Sequence, residues 1–390
     1  MILVPRSQQE KPMTPVPGSP SPLPFLRTLS FAVAFLGALT ASAQSWMTTS
    51  LAGDRNLAGH RDGIGQSASF LYPMAITADL SGNLYVADAG NHVIRKIDPT
   101  GRVSTLAGSP GIPGDRDGFG ADARFRYPNG ITVDGSGTIY VADTENCLVR
   151  KISAQGLVTT LAGRRGDCGE GDGLVATARF SHPTGVAVDI TGVLYVADRS
   201  THTIRKVDPS GTVSTFAGAP LMPGSVDERR LEARFALPFA LTIDAAGNLY
   251  VADSGNHTIR KITSDGFVTT YCGIPTKSGS RDGTCDQVLF NRPSAITIAA
   301  DGSLYLADTQ NHTVRKITPD RVVSTVAGAP GVSGFRDASG SEARFYYPYG
   351  ITIAPSGSLV ITDMLNHVVR RAAEAPATPI RRRPVGRGGS

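Results

Sequence analysis

An aspartate returns every 55 residues along this chain, at Asp88, Asp143, Asp198, Asp253, Asp308 and Asp363. Each time it sits in nearly the same phrase: "LYVADAGNHVIRKI" (84–97), then "IYVADTENCLVRKI", "LYVADRSTHTIRKV", "LYVADSGNHTIRKI", "LYLADTQNHTVRKI" and "LVITDMLNHVVRRA". A fixed period of tens of residues marks a solenoid, propeller or array, because one such unit cannot bury its apolar face alone and must stack on its neighbours. Any fold for this chain is therefore built from six like units.

Each unit reads as four short strands. In the second they are "PNGITVD" (128–134), "TIYVAD", "LVRKI" and "LVTTLAG", rich in β-branched residues and bounded by Gly, Asp, Asn and Pro. Four antiparallel strands make one propeller blade. The fourth-strand phrase ends at Gly53, Gly108, Gly163, Gly218, Gly273 and Gly328, so its first copy (48–53) precedes any complete unit, while the last unit stops at Arg371 without one. The expected fold is all-β: a six-bladed β-propeller of four-stranded antiparallel blades, its ring closed by the N-terminal strand, which leaves no bare repeat ends.

The phrases "NHVIRK", "NHTIRK" and "NHTVRK" resemble the NHL repeat, in six copies over about residues 46 to 371. The resemblance implies a six-bladed propeller. It departs from the motif at Cys147, which stands in the histidine's place, and at Thr201, in the asparagine's. His92, His202, His257, His312 and His367 recur once per blade, which spreads them round a ring, whereas zinc needs ligands within about 2.0–2.3 Å of one point. Neither a metal nor another cofactor is expected. The aspartate ending each second strand is expected to accept backbone N–H groups in its own turn. The connection between blades, as in Gly114 to Pro128, repeats an aspartate (62, 117, 172, 227, 282, 337) and a phenylalanine (70, 125, 180, 235, 290, 345). It reads as a structured loop whose phenylalanine fills the gap between blades. Its Asp-x-Asp-Gly at 115–118 lacks the distal Glu of a calcium loop.

The ends read differently. Arg27, the apolar run "LSFAVAFLGALT" (29–40) and "ASA" (41–43) follow the order of a secretory signal, so residues 1–43 are expected to be a signal peptide with a long Pro-rich lead. The run falls short of the roughly 20 residues a membrane span needs, so the mature chain is expected to have none. Residues 44–371 form the propeller, and 372–390, rich in Pro, Ala and Arg, a disordered basic tail. The formal net charge of +5 is carried wholly by these two ends. The neutral repeat body argues against nucleic acid as partner, since phosphates require a basic face. A secreted monomer, periplasmic or extracellular, is the expectation. In such a compartment the four cysteines, none in a Cys-x-x-Cys pair, are expected to form Cys147–Cys168 and Cys272–Cys285, pairs that lie together on one face of a propeller.

Within the fixed frame two positions vary. Before the first-strand proline stand Tyr72, Tyr127, His182, Leu237, Arg292 and Tyr347; after it stand Met74, Asn129, Thr184, Phe239, Ser294 and Tyr349. These rings should surround the channel mouth with apolar walls and a few polar anchors, the mixture that ligand sites favour. All of them but Leu237 are the candidate binding residues, and the reading is an interaction module for a protein, peptide or glycan. Lactonases on six-bladed propellers and the amidating lyase that resembles NHL proteins supply the alternative, a metal-assisted lyase or hydrolase using His182, Arg292 and Tyr347. The rings offer it no carboxylate and one histidine. RNA binding, as in intracellular NHL domains, is the third reading.

Overall fold

The computed structural model describes residues 46–375; the signal-peptide reading, and the tail beyond 375, lie outside them. There are six antiparallel sheets, and in five of them four consecutive strands lie in chain order from the inside outward. In blade 2 these are Pro128–Val133, Ile139–Asp143, Leu148–Ile152 and Leu157–Ala162. The second strand is buried at every position, because neighbouring blades cover both of its faces; polar alternation is lost there. The first strands crowd at the axis, where a Cβ on Gly130 would come within 1.8 Å of the Thr184 carbonyl oxygen. Between blades sit apolar clusters, each holding a phenylalanine such as Phe125 or Phe180 that is fully buried.

The ring closes as expected. Trp46–Ala52 pairs antiparallel with Val368–Glu374, Met47 opposite Ala373, and this last strand runs on past Arg371. Trp46 anchors it against Tyr305, with ring centroids 5.6 Å apart. Five sheets also carry an unforeseen fifth strand, taken from the connection: Gly118–Phe119 lies along Leu157 and Val158. It pairs backbone groups that the outer strand would otherwise leave open. In blade 4 the same contact shrinks to one bridge, Arg229 to Phe267.

The fixed aspartates correct the expectation. Asp143 takes its backbone N–H not from its own turn but from Arg126 in the connection, at 2.7 Å. Its other oxygen accepts from Asn146 (2.8 Å) and from Arg150 (2.7 Å). Arg150 is fully buried; it reaches Asp117 at 2.7 Å with its other nitrogen and lies over the Phe125 ring at 5.2 Å. A carboxylate this deep needs a cation beside it, and a short turn cannot provide one. The same arrangement recurs at Arg95, Arg205, Arg260, Arg315 and Arg370. Burial pushes the carboxyls of Asp88, Asp143, Asp253, Asp308 and Asp363 up to about 6, against the pull of the arginine. Burial likewise pushes Asp198 up to about 7, against the pull of Arg205; there Thr201 turns its hydroxyl to the Asp198 carbonyl, where the other blades have an asparagine amide on the carboxylate.

The histidines are scaffold too, spread round the ring. Each accepts, at Nδ1, the backbone N–H of the residue before the next blade's proline: His92 from Tyr127, His202 from Leu237, His257 from Arg292, His312 from Tyr347 and His367 from Tyr72, at 3.0 to 3.3 Å. The residues that donate these N–H groups sit in left-handed backbone, φ 49° at Arg292 and 59° at Tyr347, as does His182, which has no histidine partner among the described residues. Blade 2 has no histidine. There Cys147 is joined to Cys168, in the connection entering blade 3, so a covalent bond stands where the hydrogen bond is missing. Cys272–Cys285 forms as well, tying the outer strand of blade 4 to the connection that follows.

Candidate functional site

The first strands do line the axis. Ile76, Ile131, Val186, Leu241, Ile296 and Ile351 form an apolar ring round a narrow channel cavity of about 70 Å³. Above it, at the mouth, a second cavity of about 160 Å³ opens between blades 3 and 6. Phe239 and Tyr349 line both, their centroids 5.2 Å apart and their planes at 87°, so the two rings form the floor between mouth and channel. The Arg199 guanidinium lies 5.7 Å from the centre of the Phe239 ring. Burial pushes the Tyr349 hydroxyl well above the usual phenol range, with Arg199 opposing, so it stays protonated at neutral pH.

Five of the expected residues meet in this cavity: Phe239, Arg292, Ser294, Tyr347 and Tyr349. Met74, Asn129 and Thr184 face the channel below. Tyr72 and Tyr127 line neither space and pack against histidines, Tyr72 edge-on to His367 at 5.0 Å and Tyr127 by His92 at 6.3 Å. His182 stays apart from Arg292 and Tyr347; its Nδ1 is 3.2 Å from Ser200 Oγ. The alternative catalytic trio is therefore not assembled round one cavity. Among the described residues no three of His, Cys, Asp and Glu converge where a metal ion could be held.

Several hydroxyls round the axis, Thr184 and Ser294 of the expected residues among them, are engaged in holding blades together. Thr184 donates to the Phe239 carbonyl and Ser294 to that of Tyr349, each at 2.7 Å. Thr309 donates to Pro348 O at 2.8 Å, and Ser254 to Pro293 O. Asn129 Oδ1 is buried at the channel with no partner among the described residues.

Arg199, Ser254, Thr309 and Gln310 were not anticipated; all stand on turns between second and third strands. A signal existed. The residue after each fixed aspartate reads Ala89, Thr144, Arg199, Ser254, Thr309 and Met364, as variable as the two rings flanking the proline. Among the described residues the charged groups lining the cavity are Arg199 and Arg292. Among the described residues neither takes part in a salt bridge.

Known proteins share this architecture. The NHL repeat model matches residues 125–152, 235–262 and 290–317, and the teneurin NHL domain model matches 163–225. NHL repeat-containing protein 2 of Bos taurus is 30% identical over 336 residues, covering 77% of this chain and 46% of its own length. The chain thus spans less than half of that relative. Two solved structures share the fold: an auxiliary nutrient binding protein from Bacteroides ovatus (TM-score 0.64, 18% identity, 85% of this chain and 78% of the other) and a streptogramin B lyase (TM-score 0.54, 15% identity, 85% and 98%). A binding protein and a lyase on one fold leave activity to be argued from the site. With its blades, motif and ring closure on one plan, the chain is a six-bladed NHL-repeat β-propeller.

Proposed function

We propose that this propeller is a secreted binding module that takes an end group of a protein, peptide or glycan into the mouth cavity over Phe239 and Tyr349. The observation that carries the reading is the cavity itself, made where four blades of a near-repetitive ring depart from their repeat. Its volume of about 160 Å³ is below the roughly 300–1,000 Å³ of sites that enclose a whole small molecule, so it suits one side chain, terminus or sugar ring. Two disulfides agree with a non-reducing compartment, and no helix among the described residues is long and apolar enough to cross a membrane.

The test is a peptide and glycan array probed with the exported mature chain beside Phe239→Ala and Tyr349→Ala. The expected result is a hit weakened about tenfold or more by either change, the range for losing a buried aromatic anchor. A hit indifferent to both would move the site elsewhere. N-terminal sequencing of the exported product is expected to begin near Gln44.

A further inference from the structure

The charged groups of the mouth cavity are all cationic. Ser254, Ser294 and Thr309 donate their hydrogens to backbone carbonyls and keep only oxygen lone pairs, so the donors left for a ligand are Arg199, Arg292, the Gln310 amide and the hydroxyls of Tyr347 and Tyr349. Among the described residues no carboxylate lines the cavity, and burial keeps the Tyr349 hydroxyl protonated. Neither arginine serves the blade frame. Position 199 is Ala, Thr, Ser, Thr and Met in the other blades, and position 292 is Tyr, Tyr, His, Leu and Tyr. Across the ring, blade 2 carries charges of both signs, Glu145 on its turn and Arg126 before Tyr127, unlike the two like-charged arginines of this cavity.

Resting on the binding reading above, we propose that this cavity selects a carboxylate attached to a flat, aromatic group. The guanidinium fork matches the two oxygens of a carboxylate, and Arg199 is seated over the Phe239 face at 5.7 Å. The rings of Phe239, Tyr347 and Tyr349 provide walls for a planar group.

The experiment is calorimetric titration of the mature chain with 2-naphthoate and with its neutral isostere 2-naphthamide, in the parent, Arg199→Gln, Arg292→Gln and Phe239→Ala. Naphthoate is expected to bind at least about tenfold more tightly than naphthamide, and each arginine change to weaken naphthoate about tenfold while leaving naphthamide alone, the range for a charge-assisted bond. Equal binding of the two probes, unaltered by the arginine changes, overturns the selectivity and leaves the binding reading standing. Binding of neither probe overturns it as well; loss of the array hit in Phe239→Ala then keeps the cavity as a binding site, and its retention removes both. Unchanged thermal melts of the arginine variants separate lost contacts from lost fold.

Discussion

Arg150 illustrates how a residue can be plain in the sequence and its job concealed. An arginine seven positions after an aspartate on a short strand reads as a solvent-facing side chain, and the aspartate before Thr-Glu-Asn reads as a turn residue. Only the stacking of the connection against the blade brings Asp117, Asp143 and Phe125 round the guanidinium. The shared 55-residue step of both aspartates and the arginine was the available hint. Asp143→Ala should destabilise the fold by about 3–5 kcal/mol, since it strands a buried cation; urea unfolding measures it. Thr201→Asn should do the reverse, returning an amide donor to Asp198, lowering its carboxyl towards the value of its five counterparts and adding about 1 kcal/mol of stability. A carbon-detected carboxyl titration that shows no shift at Asp198 would refute that account.

At the scale of elements, the joints between blades follow from single atoms. A histidine accepting at Nδ1 must be neutral there, and burial holds His92, His202, His257, His312 and His367 below the ordinary histidine range. The unfolded chain takes up protons near pH 6.5 and the folded chain only lower, so this stabilisation is complete above about pH 6.5 and drains away as pH falls below it. The buried aspartates, raised above their unfolded value, act with the opposite sign, so the histidine share must be read as a difference. The stability gap between parent and His312→Ala should be about 1 kcal/mol at pH 7.5 and shrink towards pH 5; a constant gap would exclude the acceptor role. The joint at Cys147 has no such pH dependence. Removing it with Cys147→Ser and Cys168→Ser, which opens a separation of 21 residues, should cost about 3 kcal/mol. The cysteine pairing was legible because the fold puts both partners on one face. The two-residue edge strands were not, since nothing that short has a period to detect.

For the molecule as a whole, period and missing outer strand were enough to foretell the ring, but the site was only half visible. The proline-flanking rings led to Phe239, Arg292, Ser294, Tyr347 and Tyr349, while tabulating them alone passed over Arg199, which a different turn brings to the same cavity. Proximity in a propeller mouth depends on which side chains lean across the axis, and six equivalent positions cannot tell that apart. Deleting residues through Ala52 should leave the sixth sheet with a bare third strand and produce self-association, visible by light scattering. The pairing of Met47 with Ala373 also has a consequence in time. The first strand of the ring waits for a partner made after all the other blade strands, so the ring stays open until the sixth blade has been synthesised. The cavity floor unites Phe239 of blade 4 with Tyr349 of blade 6. No nascent chain or product truncated before blade 6 can present it, so the ligand recognition proposed for this cavity would belong to the closed ring alone.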